Sequence, residues 1–135
     1  MKITETLLDD LIKQAKTSPR LRISFDLRNG SEDQSQRVLN ALEPGTVVAI
    51  HRHNESSETA AVIRGALKMK IFNDDGIEIE SFVVDSKGPV PFYVLPKGTW
   101  HTCEVLESGT ILFECLCGAQ HKHSYVVPGF MLASN

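Results

Sequence analysis

After residue 20 the chain never again shows an apolar repeat of helical period. Short apolar, β-branched runs follow one another instead, separated by turn residues: LRISFDL, RVLNAL, TVVAIH, TAAVIR, ALKMKIF, IEIESFVV, PFYVL, WHTCEVL and TILFECL. Strands at this spacing, with no helices between them, restrict the fold to an antiparallel sandwich or barrel. In ALKMKIF the alternation sends Leu67, Met69 and Ile71 to one face and Lys68 and Lys70 to the other. The NDDG that follows predicts a hairpin turn. RVLNAL fits strand or helix by pattern alone and is assigned to strand because its neighbours are strands.

Before this β region, residues 4–16 read as one amphipathic helix. Leu7, Leu8, Leu11, Ile12 and Ala15 recur at helical spacing, opposite Asp9, Asp10, Lys13 and Gln14. Thr4 suits the N-cap, and Ser18-Pro19 ends the helix. The expected fold is therefore all-β: a small barrel over about 21–128 with one helix against its outside, in a single domain spanning 1–135. A chain of 135 residues is long enough to bury a core without staples.

Composition removes several functional classes. A net charge of −3 speaks against nucleic acid or a membrane surface as partner, since either favours a basic patch. No apolar run approaches the roughly 20 residues needed to span a bilayer. MKITETLLDDLIK carries acids where a secretion signal needs an unbroken apolar segment. Three cysteines cannot complete a disulfide framework, so reduced thiols in a cytoplasmic protein are expected. Cys115 and Cys117 alternate with Leu116 and read as core.

The chemistry concentrates in Gly45–Gly65. His51 and His53 sit two apart and so share a face of a strand, and Glu58 opens the next apolar run. Glu55 competes with Glu58 but lies mid-loop. In LPKGTWHTCEV, Pro96 and Gly98 build a turn and His101 lies just inside the following strand. Three neutral imidazoles and one carboxylate suit Fe(II), Mn(II), Ni(II), Co(II) or Zn(II) rather than Ca²⁺ or Mg²⁺. In an octahedral shell they leave two positions open.

Around that shell, Cys103 shares the face of His101. Glu114 is an acid inside an apolar strand, facing either the cavity, as an acid/base group, or solvent. Arg22, Arg37, Arg52 and Arg64 could each hold a substrate carboxylate or phosphate. Arg52, between the ligand histidines, should point away, and Arg37 is the preferred pocket residue. Tyr93 and Trp100 line the cavity mouth or pack. His121-Lys122-His123 is a second His-x-His that lacks a nearby carboxylate and reads as a solvated loop.

The two blocks resemble the cupin superfamily. Its first motif is matched by Gly45, His51, His53, Glu58 and Gly65, and its second, Pro-x-Gly-x-x-His, by Pro96, Gly98 and His101. Val90 stands where the second motif has its upstream Gly, and Val105 replaces a following Asn; neither is a ligand. The N-terminal helix, SPRLR, QRVLNALEPGTVVAIHRH, the Gly-Thr-Trp-His turn and a late Glu are similar to the WbuC-type cupin-fold metalloproteins. Gly118-Ala119-Gln120 replaces their Gly-Pro-aromatic.

The resemblance implies a jelly-roll barrel, one divalent transition metal on His51, His53, Glu58 and His101, and a place in bacterial surface-polysaccharide metabolism. It favours Arg37 as the pocket arginine; Tyr93 and Cys103 are further pocket candidates on their own placement, or simply pack. The expected function is metal-dependent chemistry, of isomerase or lyase type with Glu114 as acid/base group, on a small sugar-derived molecule. The alternatives are a non-catalytic metal-organised binding module and an Fe(II) oxygenase. Edge strands in such barrels need covering, so a homodimer is expected.

Overall fold

The computed structural model describes residues 1–118 and 123–125. Helix α1 (Glu5–Thr17) begins at Thr4, whose hydroxyl accepts from the Leu7 N–H at 3.2 Å, and ends where the Ser18 N–H donates to the Ala15 carbonyl. These are the expected limits within a residue. Among the described residues ten strands follow: β1 (Arg22–Asp26), β2 (Ser35–Leu42), β3 (His51–His53), β4 (Glu58–Arg64), β5 (Ala66–Phe72), β6 (Glu78–Asp85), β7 (Phe92–Leu95), β8 (Trp100–Val105), β9 (Thr110–Cys117) and β10 (His123–Tyr125). They form two five-stranded antiparallel sheets, ordered β1-β2-β9-β4-β7 and β10-β3-β8-β5-β6. This is a small all-β jelly roll carrying one helix.

Strand parity decides what faces what. Between the sheets lies a core containing Leu42, Val62, Leu67, Met69, Val84, Leu95 and Leu112. The outer face of the first sheet is apolar as well. Leu39, Ala41 and Ile111 are buried there against Leu8, Leu11 and Ala15 of α1. The helix thus covers a sheet face that would otherwise meet water, and Arg64 pins it by ion pairs to Asp9 (2.8 Å) and Glu5. Among the described residues, no helix is long and apolar enough to cross a membrane.

Three expectations are corrected here. TVVAIH is not a continuous strand: residues 46–50 are irregular, the Val48 carbonyl accepts from the Thr102 hydroxyl, and regular pairing starts only at His51. Cys115 and Cys117 are not core. Both lie on the outer face of β9 with Ile111 and Phe113, Cys117 is exposed, and Leu116 takes the inner face. The solvated-loop reading of the second His-x-His also fails for His123, whose backbone pairs with His53 as the first residue of β10. His121, and the expected barrel end near 128, fall outside the described residues.

Candidate metal centre

One turn and one strand pairing bring the histidines together. The Pro96–Gly98 turn is tied to the first histidine block by the Gly98 N–H, which donates to the His53 carbonyl at 2.9 Å. β8 then pairs with β3 so that His101 lies directly across from His51. The rings of His51, His53 and His101 meet with centroids 4.4 to 5.4 Å apart. One ligand nitrogen from each lies within 4.8 Å of the others. Glu58 arrives from β4 in the opposite sheet, 2% exposed, with Oε2 3.1 Å from His101 Nε2 and 3.4 Å from His53 Nε2. Glu55 is exposed.

Glycine at both ends of this block has a steric cause. A Cβ on Gly65 would sit 2.3 Å from Thr110 Oγ1 and 2.9 Å from Thr110 Cα, and its φ is +78°. Gly45, at φ +97°, leaves room for the Leu21 side chain.

The donor set fits a transition metal. His51 Nδ1 lies 2.8 Å from the Ala49 carbonyl and His101 Nδ1 2.8 Å from the Thr99 carbonyl. A carbonyl only accepts, so each Nδ1 carries a proton and each ring turns its Nε2 inward. That outer hydrogen bond is the usual way a protein orients a ligating imidazole. Glu58 Oε2 is fully buried and close to two imidazoles, yet is aligned for a hydrogen bond with neither. A shared cation satisfies that arrangement. Burial, then the neighbouring His101, pushes His51 down to about 3, so this ring is neutral at physiological pH. Burial alone would raise Glu58, but His101 and His53 outweigh it and hold the carboxyl ionised, below the ordinary range.

The cluster opens into a cavity of about 410 Å³. Tyr93, Cys103 and Glu114 all line it. Glu114 lies between Val38 on β2 and Ala60 on β4, its direct cross-strand partners. Among the described residues no hydrogen bond or ion pair engages its carboxyl. Burial, helped by the charge of Glu58, raises it to about 8, so the acid is mainly neutral at pH 7. Burial likewise pushes the Cys103 thiol up to about 12 and the Tyr93 phenol well above its usual value.

Arg37 is the misplaced residue. It lies on the outer face of β2, where its guanidinium pairs with Asp33 at 2.8 Å and reaches the Leu27 carbonyl. Asn40 and Leu42, of opposite parity, line the cavity instead. Arg52 points away as expected, stacking over Trp100 at 4.5 Å, and Trp100 packs with Ile50 and Phe72 rather than at the cavity mouth. Of Arg22, Arg37, Arg52 and Arg64, Arg22 alone reaches the cavity, and Arg20, which the sequence does not single out, reaches it too. No residue type in SPRLR announces the left-handed Leu21 that sets both arginines there.

The fold has known relatives. Oxalate oxidase in complex with the substrate analogue glycolate aligns with a TM-score of 0.64 at 18% identity, over 82% of this chain and 58% of that one. KdgF from Halomonas sp. aligns with a TM-score of 0.59 at 17% identity, over 76% of this chain and 83% of that one. CapF, solved with the inhibitor 3-isopropenyl-tropolone, aligns with a TM-score of 0.62 at 17% identity, over 76% and 31%. The chain thus spans little more than half of oxalate oxidase. These likenesses establish the cupin fold. No curated protein matches the chain. Residues 3–84, from α1 through nearly all of β6 and including His51, His53 and Glu58, match one family, and the chain belongs to it: Domain of unknown function (DUF6016).

Proposed function

We propose that this protein is a metal-dependent enzyme of isomerase or lyase type acting on a small, sugar-derived molecule. His51, His53, His101 and Glu58 would hold one divalent transition ion, which when bound supplies a Lewis acid for a substrate carbonyl or hydroxyl. The observation that carries the reading is Glu114. A neutral carboxylic acid with no partner among the described residues, on the wall of the same cavity, is placed to give a proton to a substrate oxygen and take one back. Tyr93 and Cys103 keep their protons at neutral pH and can orient the substrate by donating to it. A purely apolar cavity would favour oxygen chemistry or simple binding, and this wall is not apolar.

A cavity of about 410 Å³ suits a monosaccharide-sized ligand. The resemblance to WbuC-type proteins supports a place in surface-polysaccharide metabolism. A homodimer is supported by Phe92, Val94 and Ile63, apolar and 45 to 60% exposed on the outer face of β7 and β4. Sedimentation showing only monomer at micromolar concentration removes the dimer.

The deciding experiment has two stages. Elemental analysis of the purified protein beside His101→Ala should show one transition metal lost in the variant; equal content in both defeats the metal site. Aldoses, ketoses and uronic acids are then incubated in D₂O and followed by proton NMR. Metal-dependent deuterium incorporation that Glu114→Gln abolishes is expected. Exchange unaffected by that substitution defeats the role of Glu114.

A further inference from the structure

Two arginines line the cavity, and the metal chemistry calls for neither. Arg20 and Arg22 flank Leu21, whose φ of +55° is the left-handed conformation that leucine rarely adopts. The turn is over-determined. The Leu21 N–H donates to the Ser18 carbonyl (3.0 Å), the Glu43 N–H donates to the Leu21 carbonyl (2.9 Å), and the Thr46 hydroxyl donates to the Arg20 carbonyl (2.8 Å). Both residues beside the turn border the cavity. Arg22 starts β1, directly across from Leu42, another cavity residue.

The remaining arginines are all committed elsewhere. Arg28 pairs with Asp26, Arg37 with Asp33, Arg52 with Asp74 and Arg64 with Glu5 and Asp9. Arg20 and Arg22 make no ion pair among the described residues. Of the cavity's carboxyls, Glu58 belongs to the histidine cluster, and burial keeps Glu114 mainly neutral. In a chain of net charge −3, this hollow carries two arginines with no ion-pair partner among the described residues.

We propose that the cavity binds a small organic anion that bridges its two walls, its oxygen donors at the histidine cluster and a carboxylate or phosphate held by Arg22 and Arg20. The cluster half rests on the metal reading above; the arginine half does not. Packed sheets lie about 10 Å apart, so a chain of a few carbons suffices to reach from one wall to the other. Guanidinium forks match both anions in geometry, so the two sources differ only by test.

Calorimetric titration with malate, inorganic phosphate and the neutral polyol erythritol separates them. In the metal-loaded protein, Arg22→Gln should weaken the better anion by about tenfold or more, as loss of a charge-assisted contact does. Arg20→Gln should weaken it in the same direction, Arg22→Lys should restore part of the loss, and Arg37→Gln should change nothing. Tighter binding of malate identifies a carboxylate subsite, and of phosphate a phosphate subsite. Erythritol binding as tightly as either anion, or Arg20→Gln and Arg22→Gln both leaving anion affinity unchanged, overturns the proposal. Phosphate titrated into chelated protein tells the two readings apart. If Arg22→Gln weakens it there while His101→Ala leaves metal content unaltered, the anion site stands and the metal reading falls.

Discussion

His51 and His101 are direct cross-strand partners, and each ring gives its Nδ1 proton to the carbonyl two residues before it. The same local device therefore aims two imidazoles from two strands into one space. In the metal-free protein at pH 7, long-range nitrogen–proton NMR should find His51 in the Nδ1–H tautomer, the minor one for histidine in water. His51, held near 3 by burial, should show no titration between pH 5 and 8. His51 appearing as Nε2–H would contradict the assigned geometry.

Glu114 should make metal-free stability depend on pH in an unusual direction. Its folded value of about 8 exceeds the ordinary 4.5, so between those values the folded state holds a proton that the unfolded chain has released. Stability then falls as pH rises through that window and levels off above about 8, by at most a few kcal/mol. Urea midpoints from pH 5 to 9 should show this fall in the wild type and lose it in Glu114→Gln. Identical profiles in the two proteins would place the effect elsewhere.

Gly65→Ala adds a methyl at 2.9 Å from a backbone atom of Thr110 in a left-handed conformation, so side-chain rotation cannot relieve it. A loss of about 2 kcal/mol or more is expected by chemical denaturation. A change below about 0.5 kcal/mol would mean that the β4–β5 corner is far more yielding than its packing indicates.

Leu11→Ala tests the separation of helix and site. Leu11 is 2% exposed in the outer core, so truncation should cost about 2–5 kcal/mol. Metal stoichiometry should be unchanged, because no residue of α1 lines the cavity. Metal loss in a variant still folded at the assay temperature would couple the helix to the histidines.

How much of this was readable beforehand depends on which faces are buried. β3 and β4 could be sided because His-x-His and Glu58 carry their chemistry at fixed spacing, and Lys68 and Lys70 marked the wet face of β5. β2 and β9 could not. Leu39, Ala41, Ile111 and Phe113 make their outer faces apolar because α1 covers them, which erases the alternation that would reveal parity. Arg37 and the two C-terminal cysteines were assigned to the wrong side for that reason. The run 46–50 carries β-branched residues with strong strand preference, yet among the described residues no strand pairs with it and a side-chain hydroxyl meets Val48, so propensity alone does not make a ladder. Arg22 was in view from the start, but the left-handed Leu21 that places it has no sequence mark.

The short strand β3 has a kinetic consequence. Its neighbours are β8, through His51 and His101, and β10, through His53 and His123, so its partners lie fifty and seventy residues further along the chain. Pairings over such distances form late, after much loop entropy has been lost. The histidine cluster therefore assembles near the end of folding rather than seeding it, and a growing polypeptide has no complete imidazole set until His101 has been made. Metal capture belongs to the nearly finished molecule.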